Sequence, residues 1–116
     1  MFAFPKKQHL AQREAISALA TRGKVLFKYP IKAYCLPTGD VGYARYVFSV
    51  PKKAFKRAVK RNLLKRRMRE AVRLNQAACL EGFCADIMLV YIAKDVCEYP
   101  VIEAAVRDIL SKSKGL

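Results

Sequence analysis

The fold is decided by residues 49–73, which read SVPKKAFKRAVKRNLLKRRMREAVR. Their periodicity predicts a long helix over residues 56–78, with Gly82 beyond its end. On a helical wheel that starts at Val59 and advances about 100° per residue, the sector between about 120° and 220° is apolar. This stripe is wide enough to pack on a sheet. This stripe is the predicted core side of the helix, and it consists of Leu64, Met68, Ala71 and Val72.

The opposite side of the predicted helix is polar and mostly cationic. It carries Asn62, Lys65, Arg66, Arg69 and Arg73. Residues 52–73 contribute +10 of the formal charge of +14, because Glu70 is their only acid beside eleven basic residues: Lys52, Lys53, Lys56, Arg57, Lys60, Arg61, Lys65, Arg66, Arg67, Arg69 and Arg73. Such a density of like charge favours a polyanionic partner, above all nucleic acid, over a merely solvated face.

The rest of the chain predicts one small α/β domain spanning residues 1–116. A hydrophobic share of 53% is ample for one core and excludes a disordered basic arm. We expect residues 31–36 and 43–50 to pair as a hairpin, and 86–93 to be a central strand covered on both faces. The remaining predicted elements are a helix over 9–22, a kinked lead-in before Pro30, and a helix over 100–112.

Composition also indicates the compartment. The longest uncharged apolar run, residues 87–93, has seven residues, far fewer than the ~18 that a membrane-spanning helix needs. The N-terminus lacks the apolar region of a secretory signal, so we expect a cytoplasmic protein. The cysteines Cys35, Cys79, Cys84 and Cys97 are expected to be reduced and mostly buried, without a zinc site.

No catalytic residue and no metal site is predicted in this chain. The nine acids are scattered along the sequence, and none forms the clustered carboxylate or histidine site that hydrolytic metal chemistry requires. The protein is therefore not expected to be a self-sufficient nuclease.

The basic segment resembles the signature of the bacterial ribonuclease P protein subunit. The signature has the form Ser-Val-x-Lys-Lys, then Ala-Val-x-Arg-Asn, then Lys-Arg-x-x-Arg-Glu, and the resemblance extends over nearly the whole chain. The matching positions here are Ser49, Val50, Lys52, Lys53, Ala58, Val59, Arg61, Asn62, Lys65, Arg66, Arg69 and Glu70.

The resemblance implies a two-layer α+β sandwich with a small, mostly antiparallel sheet, in the order α-β-β-(β)-α-β-α. The long basic helix would form a left-handed βαβ crossover, an exception to the usual rule. The resemblance also implies partnership with a catalytic RNA that removes the 5′ leader of precursor tRNA using magnesium. The protein itself would do no bond chemistry, bind no cofactor of its own, and need no membrane and no obligate protein partner.

The resemblance further implies two RNA-binding regions. One is the motif face of Arg61, Asn62, Lys65, Arg66 and Arg69, with Lys52 and Lys53 leading into it. The charge of the segment adds the other cations of residues 52–73, which are Lys56, Arg57, Lys60, Arg67 and Arg73. The other is a leader cleft that would include Ile16, Ala20 and Tyr34. Aromatic side chains often occupy the first two of these positions in the family, so base stacking would depend on Tyr34, with Phe27 and Tyr29 as further candidates. Alternatively, Tyr34 is an ordinary half-buried strand tyrosine.

A second departure from the family pattern is Leu63, which stands where an arginine often follows the Arg-Asn pair. The phosphate contact of that arginine would then either be absent or be supplied by Arg67. Three other protein classes remain open from the residues: a ribosomal or other structural RNA-binding protein, a sequence-specific DNA-binding protein, and a membrane-surface helix.

Overall fold

The computed structural model describes residues 13–37, 44–80 and 85–113. Three helices and four strands follow one another in the order α1-β1-β2-β3-α2-β4-α3. Their bounds are α1 Arg13–Arg22, β1 Lys24–Lys28, β2 Ile31–Pro37, β3 Arg45–Ser49, α2 Ala58–Leu80, β4 Ala85–Tyr91 and α3 Tyr99–Ser113. Residues 9–12 of the first predicted helix, and Gly82 after the long one, lie outside the described residues.

The four strands form one mixed sheet in the order β1-β2-β4-β3. The β1–β2 and β2–β4 pairs are antiparallel, whereas β3 and β4 are parallel. Helix α2 connects the two parallel strands, as the crossover in the predicted fold requires. The α+β class is confirmed, and the left-handedness of the crossover stays a prediction.

The sheet differs from the sequence prediction in two places. The lead-in before Pro30 is itself a strand, β1, which pairs with β2 across a turn that holds a cis Tyr29–Pro30 bond. The predicted hairpin of β2 with β3 is wrong, because β4 lies between these strands. The most apolar strand thus occupies an interior position, where neighbours on both edges satisfy its backbone.

One face of the sheet packs against α2 and α3 and forms the core. The apolar stripe predicted for α2 is confirmed, since all four of its side chains are fully buried. They meet a continuous layer from the sheet, which includes Tyr46, Ile87, Leu89 and Tyr91. Helix α3 completes this core with Ile102, Ala105, Val106, Ile109 and Leu110.

Helix α1 lies against the other face of the sheet. It contacts β2 and β4, and its fully buried Leu19 is not part of the core cluster. By strand alternation and register this second face, here called the open face, carries Val25, Phe27, Lys32, Tyr34, Val47, Ser49, Met88 and Val90. Each of these side chains is exposed or half-buried. The prediction that β4 is covered on both faces therefore holds only for its core face.

The side chains of two of the four cysteines lie in the described part of the chain. Cys35 is buried and Cys97 half-buried, and both are free thiols. Burial raises the pKa of Cys35, an effect that nearby Asp86 reinforces. The side chains of Cys79 and Cys84 lie outside the described part of the chain. Within the described ranges, no helix combines the length and apolar character needed to cross a membrane.

Candidate nucleic-acid interface

The exposed side of α2 forms a shallow groove, here called the basic groove. It measures about 550 Å³ and is lined by Val59, Asn62, Leu63, Lys65, Arg66 and Arg69. Four of the five polar residues predicted to share this side are therefore brought together. No acid lines the groove, and neither Lys65 nor Arg66 has a protein partner among the described residues. The groove thus presents uncompensated positive charge to solvent.

Arg69 is held at the edge of the basic groove by a strand of the sheet. Its guanidinium carbon lies 5.7 Å from the centroid of the Phe48 ring, a cation–π geometry. Its Nε is buried and has no hydrogen-bond acceptor in the described structure. The aromatic contact positions the side chain before any ligand arrives, which lowers the entropy lost on binding.

Arg73, the fifth residue of the predicted face, does not line the basic groove. It donates two hydrogen bonds to the carboxylate of Glu70, one turn earlier. This hydrogen bonding lowers the pKa of Glu70, and the pKa of Arg73 is raised in turn. The charge of Arg73 is thus compensated within the helix. Glu70 is the residue at which the run of uncompensated cations on α2 ends.

Arg61 faces the chain that leads into the helix. It donates hydrogen bonds of 2.7 Å and 2.8 Å to the carbonyl oxygens of Phe55 and Lys56. Phe55 is buried against Tyr91, with the two ring centroids 5.7 Å apart. Arg61 therefore fixes the entry segment to the start of α2. Its predicted RNA contact stays a prediction, but at least part of its guanidinium is used inside the protein.

Arg67 is also directed away from the basic groove. Its Nη1 donates a 2.6 Å hydrogen bond to the carbonyl oxygen of Cys97, in the connection between β4 and α3. The same connection is held by Tyr91, whose hydroxyl accepts from the Cys97 amide and donates to the Asp95 carbonyl. Burial raises the pKa of this tyrosine. Arg67 is therefore a tether of the connection, and the geometry does not support it as a substitute for the arginine absent at Leu63.

The remaining predicted cations surround the start of α2 and are exposed to solvent. They lie between the end of β3 and the first turn of α2, and they are Lys52, Lys53, Lys56, Arg57 and Lys60. Arg61 holds the entry segment, which carries Lys52, Lys53 and Lys56, against the first turn of the helix.

The predicted leader cleft lies on the other side of the sheet. Ile16 is half-buried and Ala20 exposed on α1, which packs on β2, the strand of Tyr34. Tyr34 is half-buried, and the ammonium of Lys32 lies 5.2 Å from its ring centroid. Neither α1 position supplies an aromatic ring. The structure leaves the role of these three residues in RNA binding as a prediction.

The donor set of the described residues does not fit a metal ion. No group of three or more His, Cys, Asp or Glu side chains comes together within the described ranges. Asp86, a buried carboxylate, accepts from Arg45 at 2.8 Å and 3.0 Å with its two oxygens. This pair joins β3 to β4.

Sequence reasoning missed the internal use of Arg61 and Arg67, and it named Phe27 only as a further candidate for base stacking, without its exposure on the sheet. A helical wheel gives the direction of a side chain from the helix axis, but it does not show which carbonyl a long guanidinium reaches. For Phe27 a weak signal existed, since the segment before Pro30 is rich in β-forming residues, which is consistent with an additional strand.

These features define a small α+β domain that presents the cationic side of a helix to a polyanion. The family model described as Ribonuclease P matches residues 4–114, and the chain belongs to this family. The chain is 31% identical, over 121 residues, to a protein named ribonuclease P protein component from Porphyromonas gingivalis strain W83. That match covers 98% of this chain and 88% of the relative.

Solved structures agree in fold. The ribonuclease P protein of Staphylococcus aureus has a TM-score of 0.78 at 21% identity, covering 92% of this chain and 95% of that chain. The ribonuclease P protein of Thermotoga maritima has a TM-score of 0.77 at 23% identity, covering 90% and 96%. Family membership assigns the chain to tRNA processing as a ribonuclease P protein subunit, and the ribosomal alternative is not favoured.

Proposed function

We propose that this protein binds the catalytic RNA of ribonuclease P through the basic groove and the cations around the start of α2. The complex then removes the 5′ leader from precursor tRNA in the cytoplasm. The observation that carries the proposal is the groove itself, which places Lys65, Arg66 and Arg69 on one side of a helix with no acid among them.

Charge gives this interface its affinity. Each phosphate that a lysine or arginine neutralises releases condensed counterions, which makes binding favourable and dependent on salt. Arg66 offers a planar fork of donors that matches phosphate oxygens bidentately, whereas Lys65 provides a compact point charge. Asn62, exposed beside them, can donate and accept, which suits a sugar hydroxyl or a base edge.

The leader is proposed to lie on the opposite side of the sheet, at the cleft formed by α1 and β2. Ile16 and Ala20 provide an apolar wall, and Tyr34 provides a ring for an unpaired base. In this arrangement the two faces of one thin domain contact two RNAs, the catalytic RNA on α2 and the leader on the open face.

The protein contributes binding and orientation, and the RNA carries out the cleavage. Magnesium in the holoenzyme would activate the attacking water and stabilise the leaving oxygen. The described residues of this chain offer no fitting ligand set, so its own part is to add positive charge where two polyanions meet. Such a contribution matters most when magnesium is scarce, because the cation otherwise screens the same repulsion.

Leader cleavage at low magnesium tests the proposal directly. The purified protein, the ribonuclease P RNA of the same genome and a 5′-extended precursor tRNA are combined, with each component omitted in turn. We expect strong cleavage only when protein and RNA are both present, with the stimulation by protein fading as magnesium rises. Cleavage by the protein alone would contradict RNA catalysis. Absence of any stimulation, together with tight RNA binding, would support a purely structural RNA-binding role.

A further inference from the structure

Strand β1 carries an exposed aromatic ring on the open face of the sheet. Phe27 is 56% exposed and its neighbour on the same face, Val25, is 55% exposed. The ring of Phe27 has no aromatic or cation–π contact among the described residues. Leu26, between them in sequence, instead packs against the core. Phe27 therefore contributes little to folding at this position, although exposing an apolar ring costs solvation free energy.

The strand register places Phe27 close to Tyr34. Phe27 lies directly opposite Lys32, and Val25 directly opposite Tyr34, in the antiparallel β1–β2 pair. Phe27 and Tyr34 are thus diagonal neighbours on one face, at about 7–8 Å between such positions. Lys32 stands beside both rings, with its ammonium 5.2 Å from the Tyr34 centroid. Two rings and a cation are therefore grouped on one hairpin.

The electrostatic setting of this hairpin is positive. Lys32 lies on the open face beside the two rings, whereas Lys24 and Lys28, exposed at the two ends of β1, alternate onto the other face of the same edge strand. The nearest acid in the register on this side of β2 and β4 is Asp86, which is paired with Arg45. Charge complementarity thus favours an anionic ligand, and exposed rings beside cations suit the bases and phosphates of unpaired RNA.

We propose that Phe27 is a stacking residue for the 5′ leader, so that the leader crosses the β1–β2 hairpin as well as the cleft beside α1. The inference rests on the proposed function and adds a residue to it. The ring of Phe27 takes up one unpaired base and that of Tyr34 another, while Lys32 neutralises the phosphate between them. Stacking on the hairpin compensates for the lack of aromatic side chains at Ile16 and Ala20.

The absence of tryptophan from the chain allows a specific probe. Phe27→Trp introduces a single indole that keeps a stacking surface, and its fluorescence is quenched when a base stacks on it. The matched control is Val101→Trp, on α3, where the native side chain is 47% exposed. Each variant is assembled with the catalytic RNA and titrated with precursor tRNA or with mature tRNA lacking the leader.

We expect quenching for Phe27→Trp with the precursor, little with mature tRNA, and little for Val101→Trp with either. Quenching by the catalytic RNA alone would place Phe27 on that RNA and overturn the proposal. Equal quenching of both variants would show nonspecific contact and also overturn it. Protein-dependent cleavage without any quenching would leave the proposed function intact and refute the role of Phe27.

A second measurement separates stacking from apolar burial. Phe27→Leu and Phe27→Trp are compared with the native protein for the affinity of the holoenzyme for precursor tRNA. We expect Phe27→Leu to weaken that affinity about 5-fold or more, and Phe27→Trp to retain it. Affinity for mature tRNA should be unchanged by both. Equal affinities of the native protein and Phe27→Leu for the precursor would mean that no base stacks at this position.

Discussion

The outer sides of α2 and α3 balance their positive charge in different ways. On α3, Lys112 pairs with Asp108 at 2.9 Å and Arg107 faces Glu103 at 3.6 Å, each acid one turn earlier. Over residues 58–69 of α2 there is no acid at all. Cations on α3 are compensated by their own helix, whereas those of the basic groove repel one another until a ligand neutralises them. The difference separates a surface that supports folding from one that supports binding.

Reversing charge in the basic groove should produce the largest effect. Lys65→Glu with Arg66→Glu gives α2 the acids that α3 already has, and we expect RNA affinity to fall at least about 100-fold at moderate salt. The slope of log affinity against log salt should become shallower by about 2, because two phosphate contacts are lost. Filter binding at several salt concentrations measures both quantities.

Arg107→Glu with Lys112→Glu is the matched control for this charge reversal, since it makes the same change of net charge at two exposed cations of the compensated helix. Its RNA affinity and salt slope should equal those of the native protein. An equal loss of affinity in the control would mean that net charge alone, and not the basic groove, determines binding.

Arg61→Ala should lower stability more than the neighbouring Arg66→Ala. Loss of its guanidinium leaves the Phe55 and Lys56 carbonyls without their charged donor, at a cost of about 1–3 kcal/mol in the free energy of unfolding. Arg66 has no such partner among the described residues, so its truncation should affect RNA affinity alone. Urea unfolding of the free protein distinguishes the two, and equal midpoints would show that Arg61 is not structural.

Arg67→Ala should have a smaller effect, confined to the connection between β4 and α3. We expect a loss of about 1 kcal/mol from the hydrogen bond to the Cys97 carbonyl, with the salt dependence of RNA binding unchanged. Hydrogen exchange should show faster exchange of the Cys97 amide, which Tyr91 otherwise holds. A reduced salt slope would instead place Arg67 on RNA.

The smallest effect is expected from Glu70→Gln, which removes the acid at the boundary between the two kinds of surface. The pKa of Glu70 is lowered in the folded protein by the hydrogen bond from Arg73, so its stabilisation is complete above the ordinary pKa of a glutamate. That stabilisation is lost as the pH falls through the lowered value. Thermal unfolding at pH 7 and in acid should therefore show a slightly weaker acid dependence in the variant. An identical dependence would mean that the pair contributes nothing.

Much of the architecture followed from the sequence. The 3.6-residue period identified the buried stripe of α2, because a helix fixes which side chains share a side. The alternating face of β3, with Tyr46 buried and Phe48 half-buried, followed from the period of 2 in the same way. Which strands are neighbours in the sheet could not be predicted in this way. The turn residues between β2 and β3 predict a hairpin, and nothing in them indicates that β4 is inserted between these two strands.

The candidate site was predictable in its charge and only partly in its residues. The density of cations located the surface, but the division between Arg66, which faces solvent, and Arg61 and Arg67, which bind backbone carbonyls, depends on atoms brought close by folding. Likewise, Phe27 became a candidate for RNA binding on firmer ground only when pairing with β2 placed it beside Tyr34.

By itself the sequence determined the family, the α+β class, the apolar stripe of α2 and the excess of positive charge beside it. These depend on residue identity and on the spacing of apolar residues within a single helix or strand. Only the tertiary structure decided the position of β4 between β2 and β3, the internal use of two arginines, and the grouping of rings on the open face. Each of these depends on contacts between segments that are far apart in the chain. The free energy of such contacts is set by the spacing of atoms and the strand register in the folded protein, and not by composition.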